Sequence, residues 1–502
     1  VNESDARHSP GRSLRPAPQR SRRRRWGRWT TWLAVLALLG VAAGAGTYTG
    51  LIDPGAIKER LGIGQRPDPA TEPEAVPPPE GLDLPAVPRP EPLYDTLARR
   101  PVSPAKVRRL LEPLLANKLL GRDVSAVVAP LDGKPVYTTG GAETPASTTK
   151  LFTSLAALST IDPGTRFSTR VVRQPGKQKS PQIVLVGGGD PFLASKPVDP
   201  ADGVWPQRAD VVTLAKRTAT SLRRQGVRSV RLGYDDSLFT GPAFNPAWPD
   251  SYRGDVVAPI TSLWVDEGRS PSGYGYVSDP AEVAAETFAA ALREAGIAVS
   301  GNPTVAGVEP RARRLAAVRS APIEQIVQRL LQVSDNEATE VLLRQVGLAT
   351  GGAGSVADGL TGLRQVLRQR GITAPVRQFD GSGLSRRDLI KPISLVELLQ
   401  AVAGSSPDDP ARVILEGLPV AGFLGSLDDR FAAAPPLALG TTRAKTGTLT
   451  NVRSLAGIAV TPDGTPLVFA LMADRIRKEV ETPASDALDN AAGALGACRC
   501  GR

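Results

Sequence analysis

Ser147 and Lys150 stand three residues apart in the segment PASTTKLFT, in a chain whose one histidine, His8, lies in a basic N-terminal tail. A serine nucleophile normally passes its proton to a histidine. His8 is cut off from the rest of the chain by a hydrophobic segment, and the two cysteines, Cys498 and Cys500, sit at the extreme C-terminus. Covalent catalysis here therefore calls for a serine activated by a lysine. On a helix, positions i and i+3 share a face, so a helix beginning at Ser147 brings the Lys150 amine near the serine hydroxyl. Burial and neighbouring cations would lower the lysine pKa. The helix N-terminus would also offer backbone N–H groups to a developing oxyanion. Ser-x-x-Lys alone is a weak signal, and the chain holds a second copy, Ser103-Pro104-Ala105-Lys106. There the proline makes Ser103 a natural helix cap, which is a structural role.

Two further segments offer what such a pair needs. Ser334-Asp335-Asn336, in LQVSDNEATEVLL, falls between two helical patterns. All three residue types cap helices, and alone the segment reads as a cap. Within a site, the serine would relay a proton to a leaving amine and the asparagine amide would bind a substrate carbonyl. Lys445-Thr446-Gly447-Thr448, in TTRAKTGTLT, reads as a strand. Its lysine would blunt an edge against aggregation. Beside a cleft, Lys445, Thr446 and Thr448 would instead grip a carboxylate, and Gly447 would let a ligand approach the backbone.

The elements that must position these segments flank them. Ser103-Pro104 opens a helical pattern through Leu115 that Pro113 kinks or ends. SAVVAPLDGKPVYTTG reads as a hairpin turning at Asp132-Gly133, with Ser147 and a helix over 150–158 close behind. At the far end, TTRAKTGTLT, SLAGIAVT and PLVFALMAD read as three consecutive strands, closed by a helix from about Pro483 to Ala497. Two early and three late strands predict one antiparallel sheet with the terminal helices packed on it. Four helical patterns precede the late strands: PIEQIVQRLLQV, NEATEVLLRQVG, SVADGLTGLRQVLRQRG and ISLVELLQAVAG. Between Thr165 and about Arg314 the texture changes to short strands and turns (FSTRVVRQ, SPQIVLVGGGDP, SVRLGYDDSLF, GYGYVSD) with one clear helix over Ala281–Glu294. This predicts an insertion with its own core. Gly187–Asp190 is no phosphate loop, since no Gly-Lys-Ser/Thr follows.

The net charge of +11 looks at first like a nucleic-acid signal, but residues 1–30 hold nine Arg against Glu3 and Asp5, leaving 11 − 7 = +4 for the rest. The Arg22–Arg25 run precedes an uncharged apolar stretch, Thr31–Ile52. About 20 apolar residues span a bilayer, and flanking arginines stay on the cytoplasmic side. The stretch reads as an uncleaved signal anchor, the alternative being a signal peptide cut near Ala43-Gly44-Ala45. Residues 53–95, rich in Pro and Glu, read as a semi-rigid tether. The expected organisation is a basic cytoplasmic tail (1–30), a transmembrane anchor (31–52), a linker (53–95) and an extracytoplasmic head split by an insertion (96–164 and 315–502, with 165–314 inserted). One His and two Cys offer almost no zinc ligands. The Cys-Arg-Cys spacing would close only a small, strained ring, so a pair of tail thiols is expected.

Taken in order, Ser147-x-x-Lys150, Ser334-x-Asn336 and Lys445-Thr446-Gly447 resemble the active-site triplet of the penicillin-binding proteins and serine β-lactamases. The 187 positions from Ser147 to Ser334 far exceed the spacing in compact β-lactamases. They resemble the low-molecular-mass penicillin-binding proteins of the D-Ala-D-Ala carboxypeptidase/endopeptidase group, peptidase family S13. LVGGGDPFL, APITSLWVDEGR and FDGSGLSRRDLI add to the likeness, which covers about residues 96–502. It implies an α+β fold of the β-lactamase/transpeptidase type, with a large β-rich insertion and no cofactor. It further implies a serine DD-peptidase acting on peptidoglycan stem peptides and acylated by β-lactams. Ser147 would be the nucleophile, Lys150 the base, and Ser334, linked to both Lys150 and Lys445, the proton relay. Asn336, Lys445, Thr446, Gly447 and Thr448 would bind substrate, and the N–H groups of Ser147 and Thr448 would form the oxyanion hole. A β-lactamase or esterase on this fold would need an obvious deacylation base. A non-catalytic wall-binding protein would not need every motif residue intact.

Overall fold

The computed structural model describes residues 101–374 and 376–501 of the 502-residue chain. The expected tail, hydrophobic span and linker lie outside the described residues. Among the described residues no helix is long and apolar enough to cross a membrane.

Ser103 caps α1 (Pro104–Leu115), with Pro104 at its first position and Pro113 tolerated in the final turn. β1 (Asp123–Pro130) and β2 (Tyr137–Thr139) form the expected hairpin. A 3-10 turn, Ala146–Thr149, then runs into α2 (Lys150–Thr160). Next come β3 (Ser168–Arg173), β4 (Gln182–Val186), α3 (Val211–Arg224), β5 (Ser229–Asp235), α4 (Pro280–Glu294), β6 (Ala298–Val299), β7 (Thr304–Val305) and β8 (Arg313–Arg319). The helical stretch holds α5 (Ile323–Val333), α6 (Asn336–Ala349), α7 (Val356–Gln369), the short ribbon β9 (Val376–Arg377) and β10 (Leu389–Ile390), α8 (Pro392–Ala403) and α9 (Val413–Gly417). β11 (Thr442–Leu449), β12 (Val452–Val460), β13 (Pro466–Asp474) and α10 (Glu481–Ala497) close the chain.

The five-stranded sheet has the order β11-β12-β13-β1-β2, antiparallel throughout. Alternate residues serve opposite faces of a strand, and here both faces are dry. Val127, Ala129, Val468, Ala470 and Met472 join the core with α2, α5 and α8. Ala126, Val128, Phe469 and Leu471 join the core with α1 and α10. The sheet is thus sandwiched between two helical layers, which explains its near-continuous apolar strands. This is the expected α+β architecture.

The region between the first two motifs carries a second sheet, β6-β5-β4-β3-β8, with β7 also paired to β5. β3 is antiparallel to β4 and β8, whereas β4, β6 and β7 run parallel to their neighbour β5. α3 and α4 pack on it around Leu214, Leu222, Phe288 and Leu292. Three details differ from the sequence reading. α3 was not anticipated: its buried positions, 211, 214, 215, 218, 219 and 222, follow helical spacing, but the apolar ones among them are diluted by Thr, Lys and Arg. GYGYVSD is not a strand and contributes one isolated bridge, Arg269 to Tyr276. β8 runs to Arg319, beyond the expected limit near Arg314.

The expected pair of free tail thiols is also corrected. Cys498 and Cys500 are joined in a disulfide, with their Cα atoms 5.3 Å apart, a separation that disulfides commonly span. The tail is held in this bend by docking on α1. The Cys500 carbonyl accepts from Ser103 N at 2.9 Å, the Gly501 carbonyl accepts from Lys106 Nζ at 2.8 Å, and Cys500 is buried.

Candidate active site

Ser147 lies in the 3-10 turn just before α2 rather than in the helix proper. Its predecessor, Ala146, has a φ of 48°, a left-handed conformation that costs a non-glycine residue on the order of 1–3 kcal/mol. Surrounding contacts enforce it. The Pro145 carbonyl accepts from Ser454 Oγ on β12 at 2.6 Å and from Thr148 Oγ1 at 2.8 Å. The strand side chain that would obstruct this contact is missing: a Cβ at Gly447 would fall 2.0 Å from Ser454 Oγ and 2.6 Å from the Pro145 carbonyl oxygen. Gly447 therefore makes room for the protein's own turn, whereas its expected service was to a ligand.

Lys150 is fully buried. Its amine donates to Ser147 Oγ, Asn336 Oδ1 and the Ser382 carbonyl, each at 2.8 Å. Burial pushes its pKa down from 10.5 to about 8, against the pull of Asp380, Asp335, Glu340 and Glu337. A neutral amine has two N–H groups and one lone pair. Asn336 and Ser382 offer only oxygen acceptors to it, so they use the two N–H groups and leave the lone pair for the Ser147 hydroxyl.

The second motif serves both as a pair of helix caps and as part of the site. Ser334 ends α5 in the left-handed conformation, at φ 60°. Asp335 caps α6, accepting from Ala338 N at 2.8 Å. This places Asn336 on Lys150, and Ser334 Oγ accepts from Lys445 Nζ at 2.8 Å. The expected double link of Ser334 is therefore half formed: the three bonds of Lys150 go to Ser147, Asn336 and Ser382. The reversal of the chain at Ser334 turns its hydroxyl toward β11 and leaves Lys150 to the next helix.

Lys445 is also fully buried, and burial, reinforced by Lys150, holds its pKa well below the ordinary amine range. It donates to the Thr446 carbonyl at 2.8 Å, and the Thr446 hydroxyl shares a hydrogen bond of 2.8 Å with Ser426 Oγ. Thr448, two residues further along β11, is exposed. The structure thus gathers Ser147, Lys150 and Asn336 in one network and Ser334, Lys445 and Thr446 in another. Sequence reasoning missed Ser382, Ser426 and Ser454. Only Ser382 had a visible signal, the DGSG turn within FDGSGLSRRDLI. A polar cavity of about 430 Å³ adjoins Ser334 and Asn336, with Arg208, Glu267, Arg269, Tyr276 and Arg329 in its walls. Burial first, and Asp335 next, push Glu267 up to about 8 there.

The D-Ala-D-Ala carboxypeptidase 3 (S13) family model matches residues 105–273 and 274–495. A carboxypeptidase of Mycobacterium tuberculosis is 34% identical over 420 residues, covering 82% of this chain and 87% of that protein. A D-alanyl-D-alanine carboxypeptidase of an Actinomadura strain is 29% identical, covering 73% of this chain and 80% of that protein. The crystal structure of penicillin binding protein 4 from Haemophilus influenzae shares the fold, with a TM-score of 0.63 at 17% identity over 79% of this chain and all of that one. The matched residues take in all three motifs and the region between them, so the chain belongs to the D-Ala-D-Ala carboxypeptidase 3 (S13) family and is a serine-type DD-peptidase.

Proposed function

We propose that Ser147 is the nucleophile and Lys150 its general base. The observation that carries this reading is the arrangement around Lys150 Nζ, where two carbonyl acceptors leave the lone pair to Ser147. In the first step the Ser147 hydroxyl gives its proton to Lys150 as Oγ attacks the carbonyl of the penultimate D-Ala of a stem peptide. The Ser147 and Thr448 N–H groups stabilise the oxyanion. As the peptide bond breaks, Ser334 hands a proton to the departing nitrogen and is resupplied by Lys445. Lys445, Thr446 and Thr448 hold the terminal carboxylate. Such an anion restores the charged form of Lys445, which burial otherwise disfavours. Water then attacks the acyl-enzyme and gives its proton back through Ser334 to Lys445, while Lys150 returns its proton to Ser147 Oγ as the acyl bond breaks; β-lactams acylate the same serine.

The test is intact mass of the protein after incubation with penicillin, beside Ser147→Ala. A single penicilloyl adduct lost in the variant is expected. An intact drug without adduct refutes the catalytic reading, and a hydrolysed drug without adduct indicates a β-lactamase. We further propose that residues 31–52 anchor the head to the membrane, with the second sheet as an inserted unit. Release of the full chain from membranes by alkaline carbonate would overturn the anchor.

A further inference from the structure

The Ser382 carbonyl that holds Lys150 belongs to none of the three motifs. It lies in the Asp380–Ser385 turn, which is fastened from three sides. Glu340 Oε1 accepts from Gly381 N at 2.9 Å and from Ser382 N at 2.8 Å. Asp380 folds back on the turn, accepting from Gly383 N at 2.8 Å and from Ser385 N at 2.6 Å. Thr153 on α2 donates from Oγ1 to the Gly381 carbonyl at 2.8 Å. Gly383, at φ +83°, lies so close to the nucleophile's turn that a Cβ there would fall 1.9 Å from the Ala146 carbonyl oxygen. Glu340, Asp380 and Ser382 are fully buried.

Glu340 stands four residues after Asn336, on the same face of α6. That face therefore meets Lys150 twice, directly through the Asn336 amide and indirectly through Glu340 and the turn. The chain between the first two motifs reaches the same turn. Trp248 Nε1 donates to Asp380 Oδ2 at 2.7 Å, and Asn245 Nδ2 donates to the Phe379 carbonyl at 2.9 Å. A carboxylate buried this deeply is unfavourable unless hydrogen bonds satisfy it. Here Oε1 takes two such bonds, both from the backbone that aims the base, and burial first, then Asp380, push Glu340 up to about 7.

We propose that Glu340 is a positioning residue for Lys150: through the Gly381 and Ser382 amides it sets the Ser382 carbonyl that orients the amine, and Trp248 braces the same turn through Asp380. The proposal rests on the assignment of Ser147 and Lys150 given above.

The experiment measures acylation by a fluorescent penicillin, resolved into its non-covalent binding constant and its first-order acylation rate, across roughly pH 5 to 10. Glu340→Ala frees the turn, and its acylation rate is expected to fall about 100-fold with the binding constant little changed. Near the Lys150 midpoint, which lies above its own, Glu340 is largely charged, so Glu340→Gln keeps an oxygen for the two amides and removes that charge. Asp380, Asp335 and Glu337 remain beside Lys150 to favour its protonated form, while Lys445 opposes it. The rising limb of the glutamine variant's profile should therefore move to lower pH, by up to about one pH unit, with most of the rate retained. Trp248→Phe should lower the acylation rate without altering that limb.

Circular dichroism and thermal melting establish which variants fold. If Glu340→Ala does not fold, the glutamine variant decides, and a profile superimposed on the wild type overturns the proposal. In folded Glu340→Ala and Trp248→Phe, an unchanged acylation rate or a loss confined to the binding constant overturns it too. Wild type and Ser147→Ala run alongside. Absence of a wild-type adduct sinks the catalytic assignment itself, whereas normal wild-type acylation with an unaffected Glu340→Ala sinks only the positioning role.

Discussion

Replacing Asn336 by aspartate changes almost nothing in shape and places a carboxylate 2.8 Å from the Lys150 amine. The wild-type amine has a pKa near 8. At pH 7 about 9% of it is therefore neutral, against about 0.03% for an ordinary lysine, a difference worth roughly 3 kcal/mol. An opposite charge within about 4–6 Å favours the protonated lysine and raises its midpoint by about 1 to 3 pH units. Asp380, Asp335, Glu340 and Glu337 already act in this direction, and Lys445 acts against them. With Lys150 as the proposed base, acylation needs the neutral amine, so its rate at pH 7 should fall by about tenfold for each unit of displacement. The loss should be recovered as pH rises past the new midpoint. The assay is the second-order rate of penicillin acylation from about pH 6 to the alkaline limit of stability, followed by adduct mass or fluorescence. A uniformly slower profile with an unmoved midpoint would refute Lys150 as the group that titrates. A profile identical to the wild type would refute the contact between Asn336 and Lys150 as well.

Two other outcomes follow from buried groups. Asp190 accepts from Phe192 N at 2.9 Å, yet burial pushes it up to about 7 from 3.8. Between those values the folded protein holds a proton that the unfolded chain has lost, so stability declines as pH rises through that window, by at most about 4 kcal/mol. Asp190→Asn, which keeps the acceptor, should flatten this slope and melt later than the wild type at pH 8, as read by denaturant unfolding at several pH values; an unchanged slope sinks the assignment. Gly447→Ala drives a methyl group against Ser454 Oγ and the Pro145 carbonyl. It should cost about 1–3 kcal/mol of stability and slow acylation by displacing Ser147. An alanine variant with wild-type melting and acylation would show that the turn yields.

The sequence by itself determined the five-stranded sheet and its helices, because alternation, turn residues and helical spacing are local signals, and both ends of the chain carry them clearly. It also pointed to the reacting groups proposed above: with histidine excluded, a serine needs a lysine, and the Ser147–Lys150 spacing spans one helical turn. Several features were decided only by tertiary structure. Asn336 meets Lys150 across 186 residues, and Lys445 meets Ser334 across 111. No spacing rule says which of the paired residues will meet when chain segments so distant converge. The left-handed turn at Ser334 sends neighbouring side chains to different lysines, and Gly447 is small for the sake of Pro145. α3 hid its apolar face among basic residues, and the cysteine pair closed because the tail is bent against α1. α3 apart, whose helical spacing was present but diluted, these are contacts between segments remote in sequence, where burial and steric exclusion fix the partner and the chain's local pattern carries no record of it.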